Sequence, residues 1–178
     1  MVEVKMYKDD IQRRIELLDD RVNLEHEGDG RFQIVIVGGG ALVLGDYIAR
    51  STNDIDVLGT DKRLFDLLLL FNINDRSNTY LFSFLYNYED RIKHIWSGKK
   101  IDYYTASFED IVISKICASR GKDVEDLDII APHVNWDLLN ELINNEDEMR
   151  LITMSDRGYL DFKACYEIFE GRHRPCKD

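Results

Sequence analysis

Residues 34–58 read IVIVGGGALVLGDYIARSTNDIDVL. Ile34 to Val37 is a β-branched apolar run that stops at glycine, the pattern of a buried strand feeding a turn. Gly38, Gly39 and Gly40 accept backbone angles that other residues avoid, and they let a ligand approach the main chain. Ala41 to Tyr47 follows as a short helix, whose first N–H groups attract phosphate. A second strand then opens with Asp54-Ile55-Asp56. Side chains alternate across a strand, so the two carboxylates share a face while Ile55 turns to the core. Two carboxylates that close repel each other and call for a cation. Magnesium, a hard ion held by carboxylate and phosphate oxygens, fits best.

Each piece taken alone has an ordinary explanation. Three glycines make a turn, D-x-D is common in solvated loops, and Arg50 and Thr52 could be plain surface residues. Their order, with a strand on each side, raises the signal. A dinucleotide-binding turn is the rival, but its third glycine position is Val43 here, and the acidic pair opens the second strand where that fingerprint needs it at the end.

Gly38-Gly39-Gly40-Ala41-Leu42 followed by Arg50-Ser51-Thr52-Asn53-Asp54-Ile55-Asp56 resembles the GGxAL…RxTxDID signature of the polymerase-β-like nucleotidyltransferase superfamily. The subgroup it resembles includes small bacterial proteins and the toxins of abortive-infection toxin–antitoxin systems. The resemblance covers roughly residues 30 to 130. It implies an α/β (α+β) nucleotidyltransferase fold: a mixed β-sheet flanked by helices, with a helical C-terminal part. It also implies transfer of a nucleoside monophosphate from an NTP to a hydroxyl, with two Mg2+ ions on three carboxylates. Gly38 to Gly40, Arg50 and Thr52 would then bind nucleotide. Gly40 stands where the wider superfamily often has Ser or Thr, so backbone N–H groups would take over phosphate binding.

In that family a later strand supplies the third carboxylate. Lys99-Lys100-Ile101-Asp102-Tyr103-Tyr104 fits, following Arg91 to Trp96 across a Ser97-Gly98 turn that reads as a hairpin. Asp102 is expected beside the Asp54–Asp56 strand, holding one metal and activating the acceptor hydroxyl. Without the first two aspartates, a surface strand residue would be the better reading of Asp102.

Phe108 to Ser119 has apolar residues at helical spacing, with Ser107 and Asp110 as a capping start. Lys115 lies on this helix. The following Arg120-Gly121-Lys122-Asp123-Val124-Glu125-Asp126-Leu127 resembles the K/R-D-x-x-D-L element of the toxin-like subgroup. The resemblance gives Lys115 or Lys122 to the triphosphate, with Asp123 and Asp126 as accessory carboxylates. The competing reading is a charged helix surface in which Asp123 and Asp126, spaced to share one helical face, pair with Lys122 and Arg120.

The rest of the chain bounds the answer. Its 178 residues and 44% hydrophobic content suffice for one domain, or for a core over 1–106 with a helical part over 107–178 packed on it. Met6 to Leu24 is an amphipathic helix with Ile11, Ile15, Leu18 and Val22 on one stripe. A helix begins near Lys62. Asn72 to Asn78 reads as a polar loop beside the active site, and Tyr80 to Tyr88 as an aromatic, packed element. Ala131-Pro132-His133 breaks the helical C-terminal part; Asn135 caps a helix through Ile143, and another runs from about Tyr159 to Phe169.

No apolar stretch reaches the ~20 residues that span a bilayer, and Met1 to Asp10 lacks a signal-peptide centre. Cys117, Cys165 and Cys176 match no metal or disulfide pattern, so a cytoplasmic protein is expected. The net charge of −11 argues against broad nucleic-acid binding. A local basic patch can still suffice for an RNA substrate, and Lys99, Lys100 and the tail from Gly171 to Lys177 are candidates. Three functions remain open: an active enzyme with a tRNA, protein or small-molecule acceptor, a non-catalytic nucleotide-binding module, and a toxin whose partner is an antitoxin protein.

Overall fold

The computed structural model describes residues 5–49, 51–77, 83–118 and 120–175. The chain divides into two compact units, Met1–Asn78 with Arg91–Ala106 and Thr79–Asp90 with Ser107–Asp178.

The first unit is built on a five-stranded mixed sheet of order β3-β2-β1-β5-β4. The strands are β1 (Phe32–Val37), β2 (Ile55–Leu58), β3 (Ile73–Asp75), β4 (Lys93–Ser97) and β5 (Ile101–Thr105). β1 runs antiparallel to β2 and parallel to β5, while β2 and β3 are parallel and β4 and β5 antiparallel. Ile34, Val35, Ile36 and Val37 are all buried. That explains the unbroken β-branched run: the middle strand is covered on both faces, so neither alternate position can be polar.

The amphipathic N-terminal helix is α1 (Lys8–Glu25), and it buries Ile11, Ile15, Leu18 and Val22 as its spacing predicts. Each such side chain contributes about 1.5–3 kcal/mol on burial. The Tyr103 hydroxyl of β5 donates to the Ile15 carbonyl at 2.8 Å, which ties helix to sheet. Two short helices, α2 (Gly38–Leu44) and α3 (Phe65–Leu70), follow β1 and β2, and a 3₁₀ turn at Lys62–Leu64 leads into α3. The helix after β1 starts at Gly38 instead of Ala41, so the glycines form its first turn. Asn72–Asn78, expected as a loop, contains β3.

The second unit is helical: α4 (Phe108–Ala118), α5 (Gly121–Ile130), α6 (Trp136–Asn144), α7 (Glu146–Thr153) and α8 (Asp156–His173). Every residue of α4 from Glu109 to Ile116 is buried, which makes it the central helix against which α5, α6 and α8 pack. Its start is capped as expected, the Asp110 N–H donating to the Ser107 hydroxyl at 3.1 Å. A 3₁₀ turn at Ala131–His133 marks the proline break, and Asn135 caps α6 by accepting from the Leu138 N–H at 3.2 Å. α7 lies between the two helices whose bounds the sequence marks, within the part expected to be helical, and Met154 ends it with φ of 62°. Phe84 and Leu85 are buried and Tyr86 is 94% exposed, while Tyr80, Leu81 and Phe82 of the aromatic stretch lie outside the described residues. No helix among the described residues is long and apolar enough to cross a membrane.

Candidate active site

The site grows from the end of β1. Gly38 takes φ of 61°, a left-handed angle that turns the chain from the strand straight into α2. Gly39 lies under Thr52, whose hydroxyl would be 3.4 Å from a Cβ placed there. Thr52 is buried and pinned on both sides. Its backbone exchanges hydrogen bonds with Met6, at 2.7 and 2.9 Å, and its hydroxyl donates to the Asp54 carbonyl at 3.1 Å. Thr52 therefore sets the loop that delivers Asp54 to the start of β2.

Asp54 and Asp56 converge on one cation. Arg76 Nε donates to Asp56 Oδ1 at 2.9 Å, and its guanidinium lies 3.9 Å from Asp54 Oδ2. Asn74, opposite Asp56 in the β2–β3 register, reaches the same Oδ1 at 3.5 Å. Ile55 between them is fully buried, so the alternation expected of D-I-D is present. The Asp56 side chain is 15% exposed and that of Asp54 43%. Asp54 opens to solvent just ahead of β2, while Asp56 is largely covered and its backbone is fixed within the sheet. Among the described residues no three His, Cys, Asp or Glu side chains are grouped to hold a metal.

Asp102 does not join them. Asp56 pairs with Val37 at the end of β1, whereas Asp102 pairs with Gln33 near its beginning. That offset is about 13 Å along the strand direction at the usual rise per residue, and β1 itself separates β5 from β2. The expectation that Asp102 lies beside the Asp54–Asp56 strand is therefore corrected. Asp102 holds Arg31 by a two-pronged pair at 2.7 and 2.8 Å. The hydrogen bond from Arg31 holds its carboxyl down at about 2, against the burial that would raise it. Arg31 also donates to the carbonyls of Gly98 and Lys99, so the whole group fastens the β4–β5 turn. The turn's lysines are engaged too: Lys99 Nζ donates to Asp20 at 2.7 Å, and Lys100 Nζ donates to the Gly28 carbonyl.

In the helical unit, Lys115, Asp123 and Asp126 are brought together. The Lys115 ammonium donates to Asp123 Oδ1 at 3.0 Å and Asp126 Oδ2 at 2.6 Å. All three side chains are buried, so the two aspartates do not form an exposed surface, although the pairing with Arg120 that the surface reading expects is present. Arg120 Nε donates to Asp123 Oδ2 at 2.8 Å. Burial alone would raise the Asp123 carboxyl, but the bonds from Arg120 and Lys115 outweigh it and hold it below its usual range. Arg50 and the side chain of Lys122 lie outside the described residues.

Arg76 and Asn74 were not singled out from the sequence. The one signal was proximity: a polar segment, Asn72 to Asn78, expected beside the site. Within it Ile73, Asn74, Asp75 and Arg76 alternate as a strand does, with Ile73 buried against the core.

A family model described as nucleotidyltransferase of unknown function (DUF6036) matches residues 13–174. No curated protein and no solved structure matches the chain. The matched span takes in the glycine turn, the Asp54–Asp56 pair with Arg76, and the Lys115 cluster, and the chain belongs to this nucleotidyltransferase family.

Proposed function

We propose that the protein transfers a nucleoside monophosphate from an NTP to a hydroxyl acceptor, with magnesium held by Asp54 and Asp56. The observation that carries this reading is the convergence of both carboxylates on Arg76, next to a glycine turn at the end of the central strand. The donor set suits the ion. It is all oxygen and partly open, and magnesium is commonly held by one or two carboxylates together with substrate phosphates. Asp54 and Asp56 would hold the metal, which would supply neutralisation of the charge on the transferring phosphoryl group.

The chain's own residues have distinct tasks. Asp54 and Asp56 hold the metal. Thr52 fixes the loop ahead of Asp54 through its carbonyl. Gly38 to Gly40 keep side chains away from the main chain where phosphate would approach. Asp102 is left out of this reading, because its carboxylate is committed to Arg31 at the other end of β1.

Incubation with each labelled NTP, magnesium, total tRNA and cell lysate tests the proposal. Label should move to an RNA, protein or small-molecule product with the wild type and not with Asp54→Ala/Asp56→Ala. A second reading, a non-catalytic nucleotide-binding module, draws on the presence of Arg76 where a metal would sit. Magnesium-dependent NTP binding without transfer to any acceptor would select it.

A further inference from the structure

The cation at Asp54 and Asp56 is a side chain of the protein, and its placement is built. The Arg76 N–H donates to the Val57 carbonyl at 2.9 Å, which carries the β2–β3 pairing past the end of β3. Asp75 then captures the Ser77 N–H at 3.0 Å and its hydroxyl at 3.2 Å, fixing the chain's exit. The base of Arg76 is therefore held by the sheet that holds Asp56. Its guanidinium, on a side chain 39% exposed, is the part able to move.

We propose that Arg76 couples metal binding to triphosphate binding: it neutralises Asp54 and Asp56 in the metal-free protein and passes to the triphosphate when metal takes the carboxylates. This rests on the reading of Asp54 and Asp56 as the metal site. Three points carry it. A divalent ion needs the carboxylate oxygens that Arg76 now contacts, and it repels the guanidinium at that range. The hold is uneven, a hydrogen bond to Asp56 at 2.9 Å but only an ion-pair distance of 3.9 Å to Asp54, so Asp54 is the easier oxygen to surrender. A displaced guanidinium is a planar fork matched to phosphate oxygens. Metal arriving with an NTP supplies the evicted guanidinium with phosphate oxygens as a new partner. The coupling is reciprocal by thermodynamic necessity.

The test is binding of Mn2+ to the full metal-free chain, by calorimetry and electron paramagnetic resonance, with and without a non-hydrolysable NTP analogue. The variants are Arg76→Ala, Arg76→Lys and Asp54→Ala/Asp56→Ala, each checked for an unchanged melting transition. Arg76→Ala should bind Mn2+ alone about tenfold more tightly and the analogue, in the presence of Mn2+, about tenfold more weakly. Arg76→Lys should fall between, because it keeps the charge and loses the fork. Unchanged Mn2+ affinity in Arg76→Ala would overturn the competition, and unchanged analogue affinity would overturn the transfer to phosphate. The carboxylate variant separates the two levels. If it binds Mn2+ as well as wild type, the metal-site reading itself fails; if it loses Mn2+ while Arg76→Ala changes nothing, only the role of Arg76 fails.

Discussion

Asp54, Asp56 and Asp102 are the same residue type in similar strand contexts, yet their surroundings give them different work. Asp56 and Asp54 share Arg76. Asp102 has a dedicated two-pronged partner in Arg31. The second arrangement makes a pH prediction. The folded-state value of Asp102 is depressed from 3.8 to about 2, so the native state prefers the ionised form. The stability this adds is fully present above the unfolded value and fades as pH falls through the folded one. Urea midpoints of wild type and Asp102→Asn should differ by a constant amount above about pH 5, converge below about pH 4, and meet only below about pH 2. A gap that stays constant across that window would refute the pairing. Lys115 makes a related point: its two carboxylate partners are buried with it, and a buried charge persists only when paired and hydrogen-bonded.

At the scale of elements, the β4–β5 hairpin depends on a residue in a distant helix. Asp19 of α1 is almost fully buried and accepts from the N–H groups of Lys99, Lys100 and Ile101 at 2.6, 2.8 and 2.8 Å. Gly98 makes room for it, since a Cβ there would lie 2.4 Å from the Asp19 carboxyl carbon. Asp19→Ala should lower unfolding free energy by about 2–4 kcal/mol, because charged hydrogen bonds to backbone N–H groups are lost together. Gly98→Ala should also destabilise the wild type, and its effect should shrink in the Asp19→Ala background, where the clash is gone. Denaturant titration of the double-mutant cycle measures both. Additive effects would show that the two positions do not meet.

At the scale of the whole molecule, the chain joins a sheet-based unit to a helical one, each with its own buried polar fastening: Asp19 at the hairpin in the first and Lys115 between two aspartates in the second. The proposed chemistry belongs to the sheet unit, so ligand binding there should register as stabilisation. A nucleoside triphosphate with magnesium at one hundred times its dissociation constant should add about 2.7 kcal/mol to the folded state. A thermal-shift series should show this with wild type and lose it with Asp54→Ala/Asp56→Ala. A shift that survives the double substitution would place the nucleotide elsewhere.

The sequence by itself determined the mixed sheet-and-helix character, the strand–glycine–helix opening, the D-I-D alternation, the Ser97-Gly98 hairpin and the stripe of α1. All are local: period, β-branching, turn residues and caps operate over a few neighbours. It did not show β3, because Ile73–Asp75 carries too few residues for a period to stand out. Only the tertiary structure decided which strands are neighbours and in what register. The insertion of β1 between β2 and β5, and the slide that pairs Asp102 with Gln33, separated Asp102 from the other two aspartates. The same assembly brought in Arg76, twenty residues beyond Asp56, and Asp19, eighty-two residues before Ile101. Strand order and register are set by which apolar faces are buried together and which buried polar groups find partners. Those are properties of the packed chain, and no local window of the sequence contains them.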